Sequence, residues 1–72
     1  MNIGGAVSCL RDGAFMKRAG WNGKRQYIGL QEPDDLSQNT LPYIYIVTEQ
    51  GDRVPWLASQ TDLLAEDWQL VI

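Results

Sequence analysis

Residues 43–56 read Tyr43-Ile44-Tyr45-Ile46-Val47-Thr48-Glu49-Gln50-Gly51-Asp52-Arg53-Val54-Pro55-Trp56. The first six are β-branched or aromatic throughout, the composition that packs best on a pleated surface. They are apolar on both faces, which points to a central strand or to one covered by a partner. Glu49–Asp52 supplies a hairpin turn, with Gly51 free to adopt φ > 0. Arg53–Trp56 then returns as a short strand. Pro55 lacks an N–H and so places that strand at an edge or ends it there.

Downstream, Ser59-Gln60-Thr61-Asp62 has the form of a helix start. The Ser59 hydroxyl is placed to cap the backbone near Asp62, whose charge suits the positive end of the helix dipole. Leu63–Glu66 extends this to one or two turns. Asp67–Ile72 closes as a strand, with Trp68, Leu70 and Ile72 alternating against Gln69.

Upstream, Ile3, Ala6, Val7 and Leu10 fall at i, i+3, i+4 and i+7, an amphipathic helical stripe. Asn2 is its N-cap and Gly13 its stop. Cys9 lies on the flank of the stripe, where it reads as a small half-buried hydrophobe. Ala14–Ala19 and Gln26–Leu30 are the first two strands, separated by the turn Gly20-Trp21-Asn22-Gly23. Residues 31–42 form a long polar loop of the kind that is usually functional or mobile. The order is helix, two strands, loop, hairpin, short helix, strand. It predicts one α+β domain over residues 1–72, a small antiparallel sheet with the N-terminal helix packed on one face and a short second helix before the last strand.

The 72 residues contain one cysteine and no histidine. A domain this small buries only roughly 60% of the surface that its unfolded chain exposes. Neither a disulfide nor a structural zinc site is available to supplement that core. Association with further copies is the remaining device, and a homo-oligomer is expected. The N-terminus has no basic segment followed by an apolar one, and no run approaches the ~20 residues of a membrane span. The reading is cytoplasmic, with no membrane partner. Residues 1–25 carry five basic groups and one acid, a net of +4; residues 26–72 carry Arg53 against eight acids, a net of −7. The overall −3 argues against nucleic-acid polymers. The asymmetry is either an ordinary mixed surface or a basic segment able to meet phosphate.

Catalysis finds little support: no histidine for acid–base work, no base partner for Cys9, no P-loop spacing. Asp62, Glu66 and Asp67 are cap and solvated helix charges, or else hold a divalent cation or act as paired acids; on the first reading no metal and no cofactor are expected. Binding finds more. Trp21, between two glycines, offers a flat face to a base or ribose, or else packs a corner; base–aromatic stacking is worth ~1–3 kcal/mol. Asn22 can present donor and acceptor to a base edge, and Lys24 and Arg25 can meet a phosphate. Trp56 reads as a second aromatic wall or as core. Ser59, Gln60 and Thr61 add neutral hydrogen-bonding groups at a helix start, unless Ser59 is only a cap. Trp68 reads as core.

Three segments, Arg18–Lys24, Pro42–Tyr45 and Val54–Trp68, resemble the hallmarks of a compact phage and prophage family, that of the second Thoeris anti-defence protein. The resemblance spans essentially the whole chain in the same order. It implies a sponge: a non-enzymatic protein in the cytoplasm of the bacterial host that binds the cyclic ADP-ribose isomer made by Thoeris TIR-domain enzymes without cleaving it. It also implies that cyclic dinucleotides of the CBASS type can be held at a separate site, and that the protein is a homotetramer with signal pockets between protomers. Carried over by motif, Trp21 and Asn22 give stacking and polar contacts. Trp56, Ser59, Gln60, Thr61 and Asp62 line the other wall, and Tyr43 is a further candidate. The loop 31–42 is short beside the insertions of some relatives, which bears on which cyclic nucleotide fits. The residues also leave open a protein-interaction module that inhibits a host enzyme directly, through the aromatic strand, and a hydrolase of the same ligands.

Overall fold

A computed structural model describes all residues 1–72. It contains α1 (Ile3–Arg11), β1 (Met16–Arg18), β2 (Tyr27–Gln31), β3 (Tyr43–Val47), β4 (Arg53–Pro55), α2 (Gln60–Leu64) and β5 (Trp68–Leu70). The strands form one antiparallel sheet in the order β4-β3-β2-β1-β5. The α+β class and the order of elements are those the sequence predicts.

Local chemistry explains the boundaries. The Asn2 side chain accepts from the Gly5 N–H at 2.9 Å and starts α1. Gly13, at φ +93°, stops it. The Ala14 N–H turns back to the Cys9 carbonyl at 3.0 Å, so Ala14 belongs to the helix end and the first strand begins later than its composition suggests. Gly51 takes φ +92° in the hairpin turn, where the Gly51 N–H donates to the Thr48 carbonyl. β3 is internal, between β2 and β4, and β4 is the edge strand that Pro55 requires.

Cross-strand register sorts the side chains. Met16 faces Ile28 and Leu70, Ile28 faces Ile46, and Arg18 faces Trp68. These residues share the face that α1 covers, and there Ala6, Leu10, Met16, Ile28 and Trp68 form the buried core. Trp68 is 2% exposed, as its reading as core requires. Leu70 and Ile72 do not follow it inward. They lie on and beyond the outer strand β5 and are exposed.

The opposite face carries no helix. There Phe15 meets Tyr27 edge-on at 5.3 Å, and the Arg53 guanidinium lies 4.1 Å above the Tyr45 ring. Tyr45 in turn crosses Gly29 so closely that a Cβ at Gly29 would stand 2.5 Å from its hydroxyl. Phe15 remains 44% exposed on this face.

Candidate functional site

Three tryptophans from separate segments converge at the end of the sheet near α2. Trp21, from the β1–β2 turn, and Trp56, from the end of the hairpin, both pack edge-to-face on Trp68, at 5.4 and 5.8 Å between ring centroids. Such pairs contribute about 0.5–1.5 kcal/mol each beyond area burial. Trp21 and Trp56 are half-buried, so each is partly structural and partly available.

Asp62 ties this cluster together. Its carboxylate accepts from Arg18 Nη1 at 2.9 Å and from the Trp21 indole N–H at 3.1 Å, and its backbone carbonyl accepts from the Trp68 indole N–H at 3.1 Å. It also completes a capping box: the Asp62 N–H donates to Ser59 Oγ, and the Ser59 N–H donates back to the carboxylate. Arg18 spans both neighbouring acids, reaching Asp67 through Nε at 2.8 Å, while Asp67 accepts from the Gly20 N–H at 2.7 Å. The Arg18 and Asp62 side chains are 16% and 13% exposed.

The electrostatics follow. Partial burial pushes the Asp62 carboxyl upward, but hydrogen bonds from Arg18, Trp21 and Ser59 together hold it below its ordinary value. The hydrogen bond from Arg18 draws Asp67 down against its own desolvation, helped by the Gly20 amide. Arg18 is raised by its bonds to Asp67 and Asp62. Both carboxylates are therefore fixed as anions on a cation, a poor arrangement for paired acid–base chemistry, which needs one protonated partner. No group of three or more His, Cys, Asp or Glu side chains is placed to hold a metal ion.

A groove of about 480 Å³ opens on the other side of Trp56. Its walls come from α1 (Ile3, Val7, Leu10, Arg11), from β2 and β3 (Leu30, Tyr43, Ile44), from Pro42 at the end of the loop, and from Trp56, Ala58 and Leu63. That size lies within the range of ordinary ligand pockets.

The structure thus divides the residues expected at a site. Trp21 and Asp62 meet directly, so the turn and the helix start do face one another. Their polar atoms, however, are spent on each other. Tyr43 and Trp56 both line the groove. Ser59, Gln60 and Thr61 are exposed at the start of α2, next in sequence to Ala58 of the groove wall. Asn22 and Lys24 are exposed on the turn, and Lys24 Nζ donates to the Ala19 carbonyl at 3.1 Å. Sequence reading did not single out the groove wall that α1 supplies, Arg11 included. The signal for Arg11 was a basic residue one position beyond Leu10 at the end of the apolar stripe. Arg18 was missed too, because its partners lie 44 and 49 residues away.

No helix of the structure is long and apolar enough to cross a membrane. A family model described as the Thoeris anti-defense 2-like domain matches residues 1–71. Thoeris anti-defense 2 of Bacillus phage SP01 is 34% identical over 84 aligned residues, which cover 99% of this chain and 94% of that protein. Matches that span the chain from end to end identify it as a member of the Thoeris anti-defense 2-like family.

Proposed function

We propose that the chain is a phage anti-defence protein that acts in the host cytoplasm by binding a cyclic nucleotide immune signal and holding it unchanged. The signal is a cyclic ADP-ribose isomer of Thoeris type, and CBASS cyclic dinucleotides are a second class of ligand. Family membership supports the anti-defence role. The observation that carries the binding reading is the groove, where Trp56, braced on Trp68, shares an apolar wall with Tyr43. Stacking on an aromatic face is sequence-tolerant chemistry suited to a nucleobase. Ser59, Gln60 and Thr61 are exposed nearby for polar contacts with the ribose or pyrophosphate. Trp21, Asn22 and Lys24 lie outside this groove and in this reading offer a second contact surface, with Asp62 orienting the Trp21 indole.

The working unit in this reading is a homo-oligomer, a tetramer by family resemblance. Only seven of 72 residues are buried in the isolated chain, and the helix-free sheet face leaves aromatic surface open. Calorimetry with cyclic ADP-ribose isomers, followed by chromatography of the recovered ligand, tests the proposal: binding with intact recovery supports it, and absence of binding to every cyclic nucleotide overturns it.

One observation favours a second reading, direct inhibition of a host protein. Leu57, shortly before α2, and Leu64, its last residue, are 93% and 79% exposed. Exposed leucines grouped near a site suit a protein contact. Capture of a single host enzyme by the ligand-free protein, lost on substituting Leu57 and Leu64 with serine, would favour this reading.

A further inference from the structure

We propose that the groove is oriented for an aromatic anion, with Arg11 as the residue that takes its phosphate. The inference rests on the reading that the chain holds a nucleotide-type ligand, and adds the contact that fixes how the ligand lies.

Arg11 is the only charged residue along the groove. It occupies the last turn of α1, is exposed, and takes part in neither of the two salt bridges, both of which belong to Arg18. An unpaired guanidinium at the lip of an apolar slot is a ready anion contact, since its planar fork of donors matches phosphate geometry. The remaining wall has the opposite character. Trp56 gives an aromatic face, and Ile3, Val7 and Leu63 give aliphatic contact. The slot therefore asks for a molecule with a flat apolar body and a negative group at one end.

A second, shallower hollow fixes the direction. It shares Leu10, Arg11 and Leu30 with the groove, and its other lining residues include Asp12 and Glu32. Those two carboxylates repel an anion approaching from that side. A phosphate on Arg11 is thus directed to the groove side, with its base toward the aromatic wall. A nucleoside without phosphate has the same stacking but no such anchor, and inorganic phosphate has the anchor but no stacking.

The test uses the full chain labelled with ¹⁵N, with the Trp56 indole resonance assigned by Trp56→Phe. AMP, adenosine, inorganic phosphate and laurate are titrated into the wild type, Arg11→Gln and Arg11→Lys. Arg11 is exposed, and unchanged melting temperatures verify that both variants fold. The expected result is that AMP moves the Trp56 indole signal and binds at least about tenfold more tightly than adenosine or phosphate. Arg11→Gln should bring AMP down to the level of adenosine, with Arg11→Lys between. Equal binding of AMP and adenosine, AMP binding unmoved by Arg11→Gln, or occupancy by laurate alone would each overturn the proposal. Parallel titration with the cyclic ADP-ribose isomers separates the two claims. If these bind the wild type and Arg11→Gln equally, the Arg11 assignment falls and the sponge reading stands. If they bind neither while AMP binding depends on Arg11, the sponge reading falls and the Arg11 site stands.

Discussion

The indole N–H of Trp21 donates to the carboxylate of Asp62 across 3.1 Å, joining a surface turn to the first turn of a helix 41 residues further along. Trp21 is thereby held at a fixed angle against Trp68, and one of its edges is committed to the fold. Asp62 is the common acceptor for Arg18 and Trp21, so the position of the turn depends on a charge pair as well as on packing.

The first prediction concerns Arg18. Replacing it with methionine keeps much of the side-chain volume and leaves Asp62 and Asp67 without their cation. Removing one partner of a sheltered charge network is costly because the other charges stay behind. Arg18→Met should lower the melting temperature clearly more than Arg53→Met, whose guanidinium is exposed. Arg18→Lys should fall between, since a single ammonium cannot reproduce the two-sided fork. Equal melting temperatures for the two methionine variants would show that the network contributes nothing net.

Acid sensitivity follows from the same network. Asp62 and Asp67 both lie below their ordinary carboxylate values. Their contribution to stability is present above the unfolded carboxylate range of about 4 and is lost as pH falls through the lowered folded values. Melting temperature should be level from neutrality to about pH 5 and drop below about pH 4. Arg18→Met should flatten that acid limb; a limb of unchanged steepness would place the acid-sensitive groups elsewhere.

Gly29 should tolerate no side chain. A Cβ there would lie 2.5 Å from the Tyr45 hydroxyl and 2.7 Å from Cζ, within a central strand that cannot move aside. Gly29→Ala should destabilise by about 1–3 kcal/mol, as overpacking does. Combined with Tyr45→Ala, which vacates the space, its added cost should largely vanish. A chemical-denaturation double-mutant cycle showing simple additivity would contradict the contact.

The cap of α2 gives a smaller effect. Ser59→Ala removes the acceptor for the Asp62 N–H in a helix of only five residues. The expected loss is about 1 kcal/mol. A larger effect on ligand affinity than on stability would indicate that the Ser59 hydroxyl also meets the ligand.

What could be read from the sequence was local. Tyr43–Val47 was legible because a run of β-branched and aromatic residues has few alternatives to a strand. Gly13, Gly51, Asn2 and Ser59 were legible because each answers a nearby backbone need. Pro55 signalled an edge strand through its missing N–H. The pairing of β1 with β5 was not legible, since it joins Met16 to Leu70 and no local pattern encodes a contact across that span. The site divides in the same way. Trp56 and Tyr43 were recognisable as aromatic candidates, but the groove they line needs α1, whose stripe reads only as core. Asp62 was recognisable as polar and near a tryptophan. Its saturation by Arg18, Trp21 and Ser59 depends on tertiary placement that no spacing reveals.

The central claim is that this chain captures a signal without destroying it. Isothermal titration of a purified cyclic ADP-ribose isomer into the wild type, with heat denaturation and mass spectrometry of the released ligand, tests that claim most directly. The account predicts saturable binding, release of the ligand with its original mass and retention time, and affinity at least about tenfold weaker for Trp56→Ala, consistent with the loss of one stacking contact. Absence of binding to any cyclic ADP-ribose isomer, or recovery of a hydrolysed product, would contradict it.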